Sequence, residues 1–98
     1  MVVDGILYKI NLINFLKTMT NKKVIVYSTQ ACHYCVLAKN HLTKMGVAYE
    51  DKNVGVDRVA AQEMIMKSGQ MGVPVVDIDG EIIVGFRPDV FEKLINSK

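Results

Sequence analysis

Two cysteines stand three positions apart in this chain, as Cys32 and Cys35 of the segment Cys-His-Tyr-Cys. The apolar, β-branched run Val24–Tyr27 precedes them and a helical pattern follows, so they lie where a strand leads through a loop into a helix. Free backbone N–H groups and the positive end of the helix dipole then face Cys32 and stabilise its thiolate. A thiolate attacks disulfides, and a second thiol three residues on can displace the group that becomes attached. The spacing predicts a dithiol–disulfide redox centre in which Cys32 is the nucleophile and Cys35 the resolving thiol.

The same residues leave two other uses of the cysteine pair to weigh. One is a pair of inert core cysteines, which would not need a loop on its N-terminal side. The other is a zinc site, which takes about four ligands, and only His33 and His41 could complete it. His41 lies six residues beyond Cys35, roughly 240° around a helix at about 100° per residue, so it does not converge on the pair. We therefore expect no metal site, and we expect His41 on the helix surface.

Composition narrows the possible functions further. At 98 residues the chain is one small domain, and its net charge of +2 comes without a basic cluster, so nucleic-acid binding has no support. Two cysteines cannot form a secreted disulfide scaffold, and no apolar run approaches the roughly 18–20 residues that span a bilayer. The first residues lack the basic region of a secretory signal. We expect a cytoplasmic monomer with no membrane partner.

From Lys22 onward the pattern predicts the order β-α-β-α-β-β-α. The predicted elements are a central strand at Val24–Tyr27, a helix over 33–45 ended by Gly46, a strand at Val47–Val54, a helix from Asp57 to Ser68 stopped by Gly69, a hairpin of 75–78 and 81–84 turned at Asp79-Gly80, and a last helix from Pro88. We expect Val59, Ala60 and Met64 of the second helix to face inward. Strands that alternate with helices imply a parallel pair, to which the hairpin adds an antiparallel partner. The fold class is α/β with a four-stranded mixed sheet.

Residues 1–21 differ from the rest because their apolar residues keep neither a helical nor a strand period. We interpret them as an N-terminal extension, disordered or loosely docked, ahead of a working domain at 22–98. A docked helix, an added edge strand and a membrane-surface helix are the alternatives, and the last is disfavoured because the polar face carries Asn rather than Lys or Arg.

With these motifs in this order, the chain resembles the glutaredoxins from about Lys22 to Lys98. The Cys32–Cys35 segment resembles their Cys-Pro-Tyr-Cys motif, with His33 in place of proline. The segment Gly72-Val73-Pro74-Val75 is similar to the thioredoxin-fold loop whose proline is cis and faces the active cysteine. Asp79-Gly80 matches the family's hairpin turn, and Gly85-Phe86-Arg87-Pro88-Asp89 resembles the C-terminal motif of the NrdH-type redoxins. The resemblance implies a thioredoxin-like fold and thiol–disulfide exchange at protein disulfides.

The resemblance also implies a set of substrate-binding residues around the two cysteines. Outward-facing backbone groups of Val73, beside a cis Pro74, would pair with an extended substrate segment as a short added strand. Asp89 is the position that receives the amino group of glutathione in the family. The substrate-binding residues that we predict are His33, Tyr34, Val73, Pro74, Gly85, Phe86 and Asp89. His33 and Phe86 also have plainer interpretations, as a solvent-facing loop residue and as a core ring.

Departures from the family pattern bear on the electron donor. Glutathione-dependent members carry a lysine three residues before the first cysteine, where this chain has Thr29, and Phe86 replaces the second of two paired glycines. Val84 stands where the NrdH type has a tryptophan-serine pair. The resemblance still favours an NrdH-like reductase of protein disulfides, ribonucleotide reductase among the candidates, that is itself reduced by a thioredoxin-reductase-type flavoenzyme.

Other functions remain as alternatives to the NrdH-like one. They are a glutathione-dependent dithiol glutaredoxin, a carrier of an iron–sulfur cluster and a non-catalytic interaction module. We expect no tightly bound cofactor, with glutathione acting as a weak reductant only.

The assignment of residues 1–21 to an extension predicts that the domain does not need residues 1–18. A chain that begins at Met19 should unfold cooperatively in urea and retain its reductase activity. If its free energy of unfolding fell by more than about 2 kcal/mol, the scale of burying one large apolar side chain, the segment would belong to the core.

Overall fold

The most apolar segment of the sequence forms the central strand. In the computed structural model, which describes residues 22–96, all five residues of Val24–Ser28 are buried. The elements in chain order are β1 (Val24–Ser28), α1 (His33–Lys44), β2 (Glu50–Asn53), α2 (Arg58–Ser68), β3 (Val75–Ile78), β4 (Glu81–Val84) and α3 (Pro88–Asn96). This is the predicted order β-α-β-α-β-β-α. The extension predicted at residues 1–21 lies outside the described residues.

The strands form one mixed sheet in the order β2-β1-β3-β4. β1 pairs in parallel with β2 and antiparallel with β3, and β3 pairs antiparallel with β4, which confirms the predicted sheet. The β3–β4 hairpin turns at Asp79 and Gly80, whose φ angles of 53° and 96° are both positive. Two positive φ values match the right-handed twist of the flanking strands, which is why Asp-Gly is favoured there.

Alternate residues of β1 and β3 face opposite sides of the sheet, and each side has its own apolar cluster. The larger cluster lies under α1 and α3, and its buried members are Val24, Val26, Ala38, Leu42, Val47, Val76, Ile78, Ile83, Phe91 and Ile95. The smaller cluster lies under α2, with Ile25, Tyr27, Met64 and Val75 buried. No helix of the described part, residues 22–96, is long and apolar enough to cross a membrane.

Two predicted details of β2 and α2 are wrong. The strand predicted from Val47 begins only at Glu50, because the Val47 N–H bonds the Leu42 carbonyl and closes the end of α1 instead. Val59 was expected to face inward but is 73% exposed. Asp57 caps α2 by accepting from the Ala60 N–H, and this start places Ala60 and Met64, four residues apart, on the buried side.

His41 is not the plain surface residue that the sequence suggested. Its side chain is 20% exposed, and its Nε2 lies 3.1 Å from a carboxylate oxygen of Glu92 on α3. The imidazole also packs edge-on against Phe86, at 6.2 Å between ring centroids, and lies 6.3 Å from Phe91. His41 therefore faces α3. The helix α1 is covered by α3 on the flank that carries His41, and by the sheet on its inner side.

A polar network joins α2 to the sheet. The Tyr27 hydroxyl donates to Glu63 and accepts from Lys67 Nζ at 2.7 Å, and the same Nζ bonds Asp77 of β3 at 2.7 Å. Lys52 of β2 donates to the Glu63 carboxylate at 3.0 Å. Both Tyr27 and Asp77 are buried, and buried polar groups need hydrogen-bond partners. Glu63 and Lys67 of α2 are those partners.

These contacts shift the ionisation of the network. The hydrogen bond from Tyr27, followed by that from Lys52, lowers the pKa of Glu63 from 4.5 to about 2. Burial, with the Glu63 hydrogen bond adding to it, raises the pKa of Tyr27. Burial opposes the charge of Lys67, but its bonds to Asp77 and Tyr27 outweigh burial and raise its pKa. The charged forms of Glu63 and Lys67 are thus the ones that the fold stabilises.

The lowered pKa of Glu63 predicts an acid-dependent contribution to stability. Its folded value of about 2 lies below the ordinary 4.5, so the contribution is complete above pH 4.5 and is lost as the pH falls toward 2. The difference in free energy of unfolding between the unmodified protein and Glu63→Gln, measured by urea titration, should therefore shrink over this range. Tyr27→Phe removes one of the hydrogen bonds that lower the pKa of Glu63 and should narrow the range. A difference that stays constant from pH 7 to 2 would contradict the assignment.

Candidate functional site

Strand pairing brings the cysteine loop and the Val73–Pro74 segment to one edge of the sheet. β1 and β3 are antiparallel with Tyr27 opposite Val75, so the end of one strand meets the start of the other. The residues that follow β1 lead to Cys32, and the residues that precede β3 are Val73 and Pro74. Two segments that are far apart in the sequence thus meet at a single edge of the sheet, where Cys32 comes near Val73, 41 positions further along the chain.

Cys32 occupies the N-cap of α1, as the sequence predicted. Its backbone is extended, with φ −98° and ψ 111°, and its Sγ accepts a hydrogen bond from the Cys35 N–H at 3.1 Å. The first turn of α1 contains no acidic residue. The N–H group and the helix dipole therefore act on the sulfur together and favour the thiolate over the thiol.

The two cysteines are joined by a disulfide in the structure, with their Cα atoms 5.2 Å apart. Cys32 is partly exposed, whereas Cys35 is fully buried on the inner side of α1 beside Ala38. An incoming sulfur can reach Cys32 but not Cys35. The difference in exposure fits the predicted roles, with Cys32 attacking first and Cys35 resolving from within.

Val73 and Pro74 stand beside the reactive sulfur. The Val73–Pro74 peptide bond is cis, and the Val73 carbonyl oxygen lies 3.9 Å from Cys32 Sγ. Val73 is partly exposed, whereas the Pro74 ring is buried. The Pro74 carbonyl accepts from the Gly85 N–H at 2.8 Å, so Gly85, with a positive φ of 92°, joins the same edge just after β4. Val73, Pro74 and Gly85 therefore lie at the edge of the sheet that carries Cys32, where Val73 and Gly85 are partly exposed and Pro74 is buried.

The other predicted residues have more varied positions. His33 and Tyr34 begin α1 and are exposed, with Tyr34 60% accessible and the two rings in edge contact at 5.6 Å. Asp89 is exposed in the first turn of α3. Phe86 instead packs into the larger core cluster, in edge contact with the Phe91 ring at 6.2 Å. The interpretation of Phe86 as a core ring is the one that these contacts support.

Sequence reasoning missed a polar bridge at the end of β1. The Ser28 hydroxyl, 2% exposed as a residue, donates to Asp51 Oδ1 at 2.6 Å, and Lys39 Nζ bonds Asp51 Oδ2 at 2.8 Å. Burial would raise the pKa of Asp51, but the hydrogen bonds from Lys39 and Ser28 outweigh it and lower that pKa. The bridge holds α1, which carries Cys35, against β1 and β2. The contact between Ser28 and Asp51 depends on the parallel pairing of β1 with β2, and no local sequence pattern indicates it.

Within residues 22–96, no group of three or more His, Cys, Asp or Glu side chains is placed to hold a metal ion. The cysteine pair is arranged for exchange between sulfur atoms, with the partly exposed Cys32 at a helix N-terminus, the buried Cys35 behind it and the Val73 carbonyl beside it.

Comparison with known proteins agrees with this geometry. The family model for glutaredoxin matches residues 24–83. A glutaredoxin-like 8.6 kDa protein of the Clostridium pasteurianum rubredoxin operon is 43% identical over 70 residues, which cover 71% of this chain and 93% of that protein. Glutaredoxin 3 of Escherichia coli is 34% identical over 62 residues, covering 63% and 75% respectively. The solved NrdH-redoxin of Escherichia coli, a glutaredoxin-like protein with a thioredoxin-like activity profile, superimposes with a TM-score of 0.68 at 26% identity over 78% of this chain and 99% of that one.

The unequal exposure of the two sulfurs predicts unequal reactivity. In the reduced protein, iodoacetamide at neutral pH should modify Cys32 and leave Cys35 unmodified, as read by mass spectrometry of peptides. Cys35→Ser should accumulate mixed disulfides with substrates, whereas Cys32→Ser should lose disulfide reduction altogether. Appreciable turnover by Cys32→Ser would show that the roles are assigned the wrong way round.

Proposed function

Because this chain belongs to the glutaredoxin family, we propose that it is a thiol–disulfide oxidoreductase that reduces disulfides in other proteins. The observation that carries the proposal is the position of Cys32, which caps α1 at the edge of the sheet while Cys35 stays buried behind it. An inert pair of core cysteines would have no need of a partly exposed member at a helix N-terminus.

The reaction follows from these positions. The Cys32 thiolate attacks one sulfur of a substrate disulfide, the substrate S–S bond breaks, and its other sulfur leaves as a thiolate. Cys35, after losing its proton, attacks the Cys32 sulfur of the mixed disulfide and releases the second substrate thiolate. The substrate gains two electrons and, from solvent, two protons. The protein is left with the Cys32–Cys35 disulfide, the state in which the structure shows the pair.

Val73 supplies the means of holding a polypeptide beside Cys32. Val73 is partly exposed, and its carbonyl oxygen lies 3.9 Å from the reactive Sγ of Cys32. A substrate segment in an extended conformation can hydrogen-bond to this backbone as an added strand. Backbone pairing does not depend on the substrate's sequence, so it suits an enzyme that acts on protein disulfides.

Thr29 supports a flavoenzyme of the thioredoxin reductase type as electron donor. The residue lies in the loop before Cys32, where a lysine would contribute a charge-assisted contact to a glutathione carboxylate. Such a contact is worth about 1.5–3 kcal/mol, or one to two powers of ten in affinity. The fold similarity to the NrdH-redoxin of Escherichia coli supports the same choice. A disulfide of ribonucleotide reductase is then one candidate substrate.

Under this proposal the protein works without a tightly bound cofactor, in the reducing cytoplasm, and glutathione reduces it only slowly. A glutathione-dependent glutaredoxin is the second candidate. It is favoured by the 34% identity to glutaredoxin 3 of Escherichia coli and by the exposed carboxylate of Asp89 at the start of α3.

The two candidates predict opposite rankings of the electron donors. The unmodified protein should turn over with a higher kcat/KM in a coupled assay with NADPH and thioredoxin reductase than in one with glutathione and glutathione reductase. Thr29→Lys should raise the glutathione-coupled value by about tenfold, because it adds the charge that the loop lacks. It should not raise the flavoenzyme-coupled value.

Thr43→Lys is the matched control, because it adds the same charge at an exposed threonine in the last turn of α1. This variant should change neither the glutathione-coupled nor the flavoenzyme-coupled kcat/KM. Glutathione giving the higher kcat/KM in the unmodified protein would replace the first candidate with the second.

A further inference from the structure

Lys39 and Asp51 place two opposite charges beside the helical turn that carries Cys35. Lys39 follows Cys35 by four residues in α1, so the two side chains lie about 40° apart around the helix, with Cβ atoms about 5–6 Å apart. Helical side chains lean toward the N-terminus, so the stem of Lys39 leans toward the turn of Cys35. The Lys39 Nζ lies 2.8 Å from Asp51 Oδ2 of β2.

Asp51 reaches this place from the strand beside β1. Its register partner on β1 is Val26, which belongs to the larger core cluster under α1, so Asp51 faces the same side of the sheet. Ser28, two residues beyond Val26, faces that side as well and donates to Asp51 Oδ1 at 2.6 Å. Only three residues separate Ser28 from Cys32. The polar bridge therefore ends close to the cysteine loop.

The carboxylate of Asp51 stays charged at neutral pH. Burial opposes its charge, but its hydrogen bonds, that from Lys39 first, outweigh burial and lower the pKa of Asp51. The side chains of Lys39 and Asp51 are 24% and 39% exposed, so water screens the two charges only in part. α1 also makes an ion pair between His41 and Glu92, but that pair lies on the flank toward α3, about 240° around the helix from Cys35.

The resolving step makes Cys35 sensitive to nearby charges. Cys35 has to lose its proton before its sulfur attacks Cys32, yet the residue is fully buried, and burial disfavours the charged form of an acid. A thiolate at this position is stabilised by a nearby cation and destabilised by a nearby anion. Both effects are stronger than in water, because the protein interior screens charges weakly.

We propose that Lys39 and Asp51 act on Cys35 by charge, the Lys39 ammonium favouring the Cys35 thiolate and the Asp51 carboxylate offsetting part of that effect. The inference rests on the proposed function, in which Cys35 resolves the mixed disulfide. In that step the Cys35 thiolate bonds to Cys32 Sγ, the bond from Cys32 to the substrate sulfur breaks, and that sulfur leaves with the electron pair. The two positioning residues thus set how fast the second substrate thiolate is released, in addition to holding α1 on the sheet.

The two partners of the ion pair distinguish an effect of charge from an effect of structure. If the pair only held α1 in place, loss of either partner would break the same contact and slow the step in both cases. An effect of charge has opposite signs, because Asp51→Asn leaves the Lys39 ammonium unopposed, whereas Lys39→Met leaves the carboxylate unopposed. A change of about tenfold in the thiolate fraction becomes about threefold in rate, since a less basic thiolate is also a weaker nucleophile.

Stopped-flow reaction of the reduced protein with excess dipyridyl disulfide, an uncharged reagent, measures the step. The first coloured thione leaves when Cys32 attacks, and the second leaves when Cys35 resolves the mixed disulfide. At neutral pH, Asp51→Asn should speed the second phase about threefold, and Lys39→Met should slow it about threefold or more. Lys39→Arg, which keeps the charge, should retain the rate of the unmodified protein.

Two further measurements separate charge from a displacement of the sulfur atoms. The differences between the variants should shrink as the pH rises and Cys35 becomes fully ionised, whereas displaced sulfurs would react slowly at every pH. Ser28→Ala removes a hydrogen bond from Asp51 but no charge, so its second phase should stay within about twofold of the unmodified rate. If Lys39→Met does not fold, acceleration by Asp51→Asn decides by itself, because loss of a structural contact would slow the step.

Lys52 and Glu63 provide the matched control, because their ion pair, at 3.0 Å, lies on the α2 side of the sheet. Lys52→Met and Glu63→Gln make the same changes of charge and should leave both phases unchanged. A second phase that Asp51→Asn and Lys39→Met slow alike, or leave unchanged, would overturn the inference while the proposed function stands. Release of only the first thione by the unmodified protein would overturn the proposed function itself.

Discussion

The hydrogen bond from the Cys35 N–H to Cys32 Sγ, at 3.1 Å, links the start of a helix to the reactive atom. A helix must leave its first N–H groups without partners of its own, and here one of those groups is turned toward sulfur. The constraint is that α1 has to begin at the edge where β1 ends, with the first cysteine outside the helix and the second inside. The contacts that hold α1 on the sheet therefore also hold Cys32 and Cys35 in the positions that their chemistry requires.

Two kinds of contact fix α1 in that position. Its inner side packs into the larger core cluster through Ala38 and Leu42, which are fully buried. Its flank is held by the bridge from Lys39 through Asp51 to Ser28, which closes at the end of β1 nearest the cysteines. Apolar burial supplies the driving force for packing. Hydrogen bonds are directional, so the polar bridge sets the orientation of α1 on the sheet.

The two sides of the sheet are packed in different ways. The α1 and α3 side holds the cysteine pair through a large apolar core, and His41 and Phe86 complete that core where the two helices meet. The α2 side has a small core and a polar network through Tyr27 and Lys67, which leaves the outer side of α2 exposed to solvent.

The sequence by itself determined the order of the elements, the hairpin turn at Asp79-Gly80 and the place of Cys32 at a helix start. Each depends on the periodicity or turn chemistry of neighbouring residues, which is local. The tertiary structure alone decided that Ser28 meets Asp51, that His41 faces Glu92 and that Val59 points outward. These outcomes depend on which faces of distant segments meet, and a short apolar or polar pattern does not specify its partner. The site divides in the same way, because the cysteine spacing is local whereas the contact of Cys32 with Val73 exists only once β1 and β3 have paired.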